Sequence, residues 1–136
     1  ELQMLQGLAT GISVANLEPC ISVEQLQAIQ HQCQQVKVDA AITQCIVDLL
    51  RATRQDSEIG LGVSPRGSVA LYRATQAWAW LQGRVYAVPD DVKELAVYVL
   101  AHRIMTVGGP RGTQAIARLL QQVPIDTSAA QIRQKK

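Results

Sequence analysis

Several sequence patterns that support catalysis or membrane insertion are missing from this chain. It has no G-x-x-x-x-G-K-[ST] phosphate loop, no G-x-S-x-G nucleophile motif and no H-E-x-x-H zinc motif. No apolar run approaches the roughly 20 residues that a membrane-spanning helix needs, and no signal-peptide pattern is present. The sequence alone therefore predicts a soluble, cytoplasmic domain that contacts no membrane and is catalytically inert by itself.

Charge and cysteine are also scarce. The 13 basic and 11 acidic residues leave a formal net charge of +2, which is too small to indicate a nucleic-acid-binding surface. Cys20, Cys33 and Cys45 are odd in number and match no zinc or redox spacing. We therefore expect reduced, mostly buried thiols and no metal site.

The length of the chain predicts one domain. Its 136 residues, 48% of them hydrophobic, are enough to bury a sizeable core. The chain does not begin with Met, and its end is polar. We expect a single helical domain over residues 1–125, excised from a larger protein, followed by a polar tail, 126–136, that need not be ordered.

Capping residues and apolar spacing predict a bundle of helices. Helices are expected over 23–35, 40–54, 65–82, 89–103 and 114–122, with Ser22, Asp39, Ser64 and Thr113 as N-caps of four of them and Gly83 ending the third. Each of the first four helices has an apolar stripe that is expected to face inward: Leu26, Ile29 and Cys33; Ile42, Cys45, Ile46 and Leu49; Leu71, Ala74, Trp78 and Leu81; Val92, Leu95, Ala96 and Val99. Trp80 points away from this stripe and is a candidate partner-facing residue.

Two short segments, 36–38 and 85–88, alternate like strands and are expected to pair with each other. The predicted fold class is therefore mainly α, a small bundle of four to five helices with at most a short two-stranded sheet. Asp90 and Asp91 open the fourth helix. Because adjacent helical residues point apart, they are interpreted as complements of the helix dipole rather than as a catalytic pair.

The most informative segment is the glycine-bearing approach from Gly60 to the helix start at Ser64, Pro65 and Arg66. Ser64 suits the N-cap and Pro65 the first helical position, which places Arg66 second in the helix. Helix stability alone would favour an acid there. A cation makes sense if the helix end and the guanidinium share an anionic partner such as phosphate. The alternative is an ordinary surface arginine, and this motif does not separate the two.

Several blocks together resemble the carboxy-terminal lid of MoxR-type AAA+ ATPases. The blocks are Leu50-Arg51-Ala52-Thr53-Arg54, Leu61-Gly62-Val63-Ser64-Pro65-Arg66, Gln82-Gly83-Arg84-Val85-Tyr86, Val88-Pro89-Asp90-Asp91-Val92 and Val99-Leu100-Ala101-His102-Arg103. Their order and spacing are similar to those of the family. The departures are small: Val63 and Gly67 stand where the family usually has alanine, and Val88 replaces the usual threonine cap before Pro89.

The resemblance implies a helical lid that closes over ATP and Mg²⁺ held by an N-terminal phosphate-loop domain of the same chain. It implies an ATPase parent, in a ring that is usually a hexamer, that couples hydrolysis to chaperone-like remodeling with proteins carrying von Willebrand factor A domains. Arg66 matches the arginine called sensor 2, which contacts the γ-phosphate, and Ser64 and Gly62 would lie beside the ATP. The chain alone is expected to bind neither ATP nor metal.

Two other functions stay open at this point. One is a stand-alone helical protein-interaction module. The other is a helix-turn-helix DNA-binding domain, with Arg66, Ser68, Arg73 and Gln76 facing the major groove. Against the second, the segment 55–63 is longer than the three or four residues of the usual turn, and the net charge is weak.

Overall fold

The computed structural model describes residues 17–108 and 111–123, together with Leu2. By its internal contacts the chain divides into two compact units, residues 1–30 and 31–136. The elements in chain order are α1 (Val23–Gln34), α2 (Ala40–Gln55), β1 (Ile59–Leu61), α3 (Pro65–Leu81), α4 (Pro89–Leu100), a 3-10 turn (Ala101–Arg103), β2 (Met105–Thr106) and α5 (Gly112–Gln122). The predicted fold class is confirmed. The predicted tail, 126–136, lies outside the described residues, and none of the described helices is long and apolar enough to cross a bilayer.

Two of the predicted N-caps form as expected. The Ser22 N–H donates to Gln25 Oε1 at 2.8 Å while the Gln25 N–H donates to Ser22 Oγ at 3.2 Å, which is a reciprocal capping box. At the start of α2, Asp39 Oδ1 accepts from the Ala41 N–H at 3.1 Å. These bonds satisfy helix-end donors that would otherwise have no partner within the helix.

The predicted Thr113 cap is wrong. Helix α5 begins at Gly112, and Arg111 is its N-cap residue. The Arg111 carbonyl accepts from the N–H groups of Gln114 at 2.8 Å and Ala115 at 3.2 Å, so the first turn closes on a backbone group. Thr113 lies inside that turn and caps nothing.

The two-stranded sheet forms elsewhere than expected. Strands β1 and β2 pair antiparallel, with Ile59 opposite Thr106 and Leu61 opposite Met105. The predicted pairing of 36–38 with 85–88 is a single parallel bridge, in which the Lys37 N–H donates to the Val85 carbonyl and the Ala87 N–H to the Lys37 carbonyl, each at 2.9 Å. The glycine-bearing approach to α3 is thus partly strand. The sequence did not indicate this, because strands of two or three residues are too short to show an alternating pattern.

The core lies among α2, α3, α4 and α5. On α2 all four predicted stripe residues are buried, and on α4 Val92 and Ala96 are buried while Leu95 and Val99 pack partly against the core. Helix α1 has no buried residue: Leu26 is exposed and Ile29 half-buried, so its predicted inward stripe is wrong. The expectation of mostly buried thiols is also wrong, because Cys20 is exposed, Cys33 is half-buried and only Cys45 is buried. Burial raises the pKa of the Cys45 thiol.

The inward face of α3 was predicted only in part, since Leu71 is fully buried as expected but the other three stripe residues are not. Its buried residues are Gly67, Leu71, Thr75, Gln76 and Ala79, whereas Leu81 is exposed and Ala74 and Trp78 are half-buried. Trp80, predicted to face a partner, packs against the core. The predicted face differs from the observed one because two polar residues are buried, and hydrogen bonds satisfy their polar groups. Thr75 Oγ1 donates to the Leu71 carbonyl, and Gln76 Nε2 donates to the carbonyls of Gln34 and Val36.

Candidate functional site

The start of α3 has the predicted geometry. Ser64 is the N-cap, with extended backbone (φ −72°, ψ 163°), Pro65 is the first helical residue and Arg66 the second. The Ser64 carbonyl accepts from the Gly67 N–H at 2.8 Å. The Ser64 hydroxyl, however, makes no capping bond, which corrects the prediction for that side chain. The N-cap side chain therefore does not close the helix end next to Arg66.

Val63 holds this helix start to the last turns of α2. Its side chain is fully buried, and both of its backbone polar groups are bound by α2 side chains. The Val63 N–H donates to Thr53 Oγ1 at 3.0 Å, and the Val63 carbonyl accepts from Arg54 Nε at 3.1 Å. The Thr53 hydroxyl in turn donates to the Leu50 carbonyl at 2.7 Å. Because buried backbone groups are costly to leave unpaired, these bonds fix the approach to α3.

Gly62 lies against the same part of α2. A Cβ at this position would come within 2.6 Å of Arg54 Cγ, 2.7 Å of the Thr53 carbonyl oxygen and 2.8 Å of Arg54 Cα. Two of these neighbours are backbone atoms that cannot turn away. The glycine is therefore explained by close packing between the loop and α2. Its predicted place beside ATP stays a prediction.

Val63 and Gly67, two of the three departures from the usual family pattern, are spatial neighbours. A Cβ on Gly67 would overlap Val63 Cγ1, and both residues are buried. The larger side chain at 63 therefore fits because residue 67 has none. The valine–glycine pair places three side-chain carbons at this contact, where two alanines would place two.

We expect Gly67→Ala alone to lower the free energy of unfolding by about 1 to 3 kcal/mol, because it overfills this contact. Adding Val63→Ala should recover most of that loss, since the added methyl then occupies the space that the valine leaves. Urea unfolding of the two single variants and the double variant measures the coupling. A double variant whose loss equals the sum of the single losses would contradict the paired-volume interpretation.

Arg66 is exposed, and within residues 17–108 and 111–123 its guanidinium has no hydrogen bond or ion pair. Other arginines are engaged: Arg84 binds Asp91, and Arg118 binds Asp56 and Glu58. Arg73, on the same helix as Arg66, is also exposed. An unpaired guanidinium at a helix N-terminus that has no side-chain cap is an arrangement that can receive an anion.

A bidentate ion pair stabilises the turn between α3 and α4. Its two residues belong to two of the family-like blocks, 82–86 and 88–92. Arg84 donates from Nη2 to Asp91 Oδ1 at 2.6 Å and from Nη1 to Asp91 Oδ2 at 2.9 Å, and it also reaches the Tyr86 carbonyl. Asp91 is only 3% exposed. The hydrogen bond to Asp91 raises the pKa of Arg84 further, against the opposing effect of partial burial.

Asp91 also supplies one half of a capping box, since its Oδ2 accepts from the Val88 N–H at 2.8 Å, while the Asp91 N–H donates to the Val88 carbonyl at 3.0 Å. Asp91 is thus a structural group, more than the dipole complement expected from sequence. Asp90 is exposed and binds Lys93 Nζ at 3.0 Å. In the described part of the chain, no three His, Cys, Asp or Glu side chains come together in a way that could hold a metal ion.

The burial of Gln76 removes a central residue of the helix-turn-helix alternative. Its side-chain amide is occupied by two backbone carbonyls, and the residue is only 7% exposed. The segment before α3 contains strand β1 rather than a short turn. This face of α3 therefore cannot present the predicted set of residues to a major groove.

Comparisons with known proteins agree with the lid resemblance. Residues 51–122 match the model of the AAA lid domain family. The chain is 42% identical over 105 residues to the uncharacterized protein YeaC of Bacillus subtilis, covering 77% of this chain and 33% of YeaC. It is 39% identical over 77 residues to protein MoxR of Paracoccus denitrificans, covering 47% and 23% of the two chains. With chaperone MoxR1 of Mycobacterium tuberculosis, the identity is 28% over 104 residues, covering 70% and 28%.

A crystal structure of a candidate ATPase from Cytophaga hutchinsonii has the same fold, with a TM-score of 0.76 at 23% identity, over 91% of this chain and 42% of that one. The chain spans about a third or less of the length of the curated relatives that it matches. More than half of its residues fall within the matched family model. The chain therefore belongs to the AAA lid domain family, in agreement with its resemblance to the lid of MoxR-type AAA+ ATPases.

Proposed function

We propose that this lid closes over ATP held by the phosphate-loop domain of the parent protein, and that Arg66 is its sensor 2 residue at the γ-phosphate. The observation that carries the proposal is an exposed arginine, free of any carboxylate in the described structure, at the second position of a helix whose start is fixed by α2. A guanidinium presents a planar fork of donors that matches phosphate oxygens. Its charge would stabilise the transferring phosphoryl group.

The neighbouring residues fit an anion at this place. The Ser64 hydroxyl makes no hydrogen bond within the described residues, so its O–H can donate to a phosphate oxygen. Gly62 is expected to lie beside the ATP from the family resemblance alone, because its missing side chain is explained by packing against α2. The bound ATP with Mg²⁺ would supply the transferable phosphoryl group. Magnesium ligands are assigned to the phosphate-loop domain, while this chain contributes orientation and positive charge.

The relatives extend the proposal to the parent protein. Two matched proteins bear the names MoxR and chaperone MoxR1, which supports an ATPase that performs chaperone-like remodeling. We place it in the cytoplasm, in a ring of neighbouring subunits that is a hexamer, with a von Willebrand factor A domain protein as partner. We expect neither nucleic acid nor membrane to be a partner.

The test compares the 136-residue chain with the full-length parent. We expect calorimetry with ATP to show very weak binding to the chain and no hydrolysis, because one arginine contact cannot offset the entropy that the nucleotide loses. The parent should bind ATP and hydrolyse it. Micromolar affinity of the isolated chain, or a parent that binds no ATP, would contradict the proposal.

A further inference from the structure

Arg54 lies near the carboxyl end of α2. Both its aliphatic stem and its guanidinium contact the segment that leads to Arg66. Its stem lies across Gly62, where a Cβ would come within 2.6 Å of Arg54 Cγ. Its Nε–H donates to the Val63 carbonyl at 3.1 Å. One side chain therefore holds two consecutive residues immediately before the cap of α3.

The bond to Val63 fixes a peptide plane close to Arg66. The N–H of the same residue is already held by Thr53, so both polar groups of Val63 are bound. From there Ser64 has extended backbone, and Pro65 has a φ locked by its ring. Few rotatable bonds remain between the contact with Arg54 and the Cα of Arg66. A change in the Val63 peptide would therefore move the Arg66 guanidinium.

Arg54 differs in its partners from the ion-paired arginines. Arg84 and Arg118 each bind a carboxylate at 2.9 Å or closer, whereas the hydrogen bond recorded for Arg54 goes to a backbone carbonyl. No acid pairs with Arg54 anywhere in 17–108 or 111–123. The hydrogen bond from Arg54 to the Val63 carbonyl therefore fixes a direction and neutralises no charge.

We propose that Arg54 is a positioning residue for Arg66: its Nε–H sets the Val63 peptide and so aims the Arg66 guanidinium. The inference rests on the proposed role of Arg66 at the γ-phosphate. Arg54→Lys separates the bond from the charge, because lysine keeps a cation on a similar stem but has a methylene where arginine has Nε.

The experiment measures ATP turnover at saturating ATP in the full-length parent carrying Arg54→Lys, Arg66→Ala, or both. Arg54→Lys should reduce kcat about three- to ten-fold, the effect of one lost hydrogen bond, and should lower the Tm by no more than a few degrees, because the Val63 carbonyl loses one partner. The double variant should be no slower than Arg66→Ala alone, because Arg54 acts only through Arg66. Arg51→Lys is the matched control: it lies on the same helix, and its exposed contact to Asp48 is 3.6 Å long. It should leave kcat unchanged.

Three results would overturn the inference. Unchanged kcat in Arg54→Lys would show that the directional bond is not needed, and a raised KM at unchanged kcat would indicate direct nucleotide contact through charge. Losses that multiply in the double variant would show that Arg54 acts independently of Arg66. Wild-type turnover in Arg66→Ala is a separate result that removes the proposed function itself, so the two failures are distinguishable.

Discussion

Asp91→Ala is expected to lower the free energy of unfolding of this chain by about 2 to 4 kcal/mol. The substitution removes three bonds at once, two from the Arg84 guanidinium and one from the Val88 N–H. It leaves a cation without its partner in a largely buried place. The Arg84 side chain is 24% exposed, so water can recover part of the loss, which puts the expected value at the lower part of the range for broken buried pairs.

Urea unfolding measures this effect, with Asp90→Ala as the matched control. Asp90 is the neighbouring residue, its side chain is 79% exposed and its ion pair with Lys93 is on the surface. Its loss should change the free energy by no more than about 0.5 kcal/mol. The double variant Arg84→Ala with Asp91→Ala should lose less than the sum of the two single changes. If Asp91→Ala were as mild as Asp90→Ala, the ion pair would not hold the turn.

The features that the sequence predicted correctly depend on residues a few positions apart. The Ser22–Gln25 capping box, the Asp39 cap and the buried stripe of α2 all follow from spacing within one helix. The placement of Arg66 second in α3 follows from Ser64 and Pro65 next to it. Local backbone chemistry decides these features, so they can be inferred before any tertiary contact is known.

Some local predictions failed, such as the Thr113 cap, but the largest omissions depend on distant residues. Arg118 of α5 binds Asp56 and Glu58, each at 2.9 Å, and ties α5 to the turn after α2. Burial raises the pKa of Asp56, but the bonds from the Glu58 N–H and from Arg118 outweigh it and lower the pKa overall. The pairing of β1 with β2 is equally long-range. No periodic signal in the sequence reports such contacts.

The candidate site depends on both nearby and distant residues. The motif placed Arg66 correctly at the helix start, but the attachment of Val63 to Thr53 and Arg54 joins two separate blocks of the sequence. The sequence related those two blocks to each other only through the family pattern, not through any contact. The structure supplies a physical reason for their occurrence together: the end of α2 fixes the loop that begins α3.

Arg66→Ala in the full-length parent is expected to reduce ATP turnover roughly ten- to hundred-fold while leaving the fold intact. The loss follows from removing a charged donor from the γ-phosphate, where negative charge is redistributed during transfer. The fold should be unaffected or slightly more stable, because the exposed side chain has no partner in the described structure. A cation near a helix N-terminus is also mildly unfavourable.

Arg73→Ala is the matched control for this prediction. Arg73 is the same residue type on the same helix and is likewise exposed, but it lies two turns farther from the helix N-terminus. The dipole and the free end of the helix act only within the first turn, so an anion bound there would be out of reach of Arg73. Steady-state ATPase assays and thermal melts on both variants separate the roles. Wild-type turnover in Arg66→Ala, or equal losses in the two variants, would refute a sensor role, whereas a large drop in Tm would make Arg66 a structural residue.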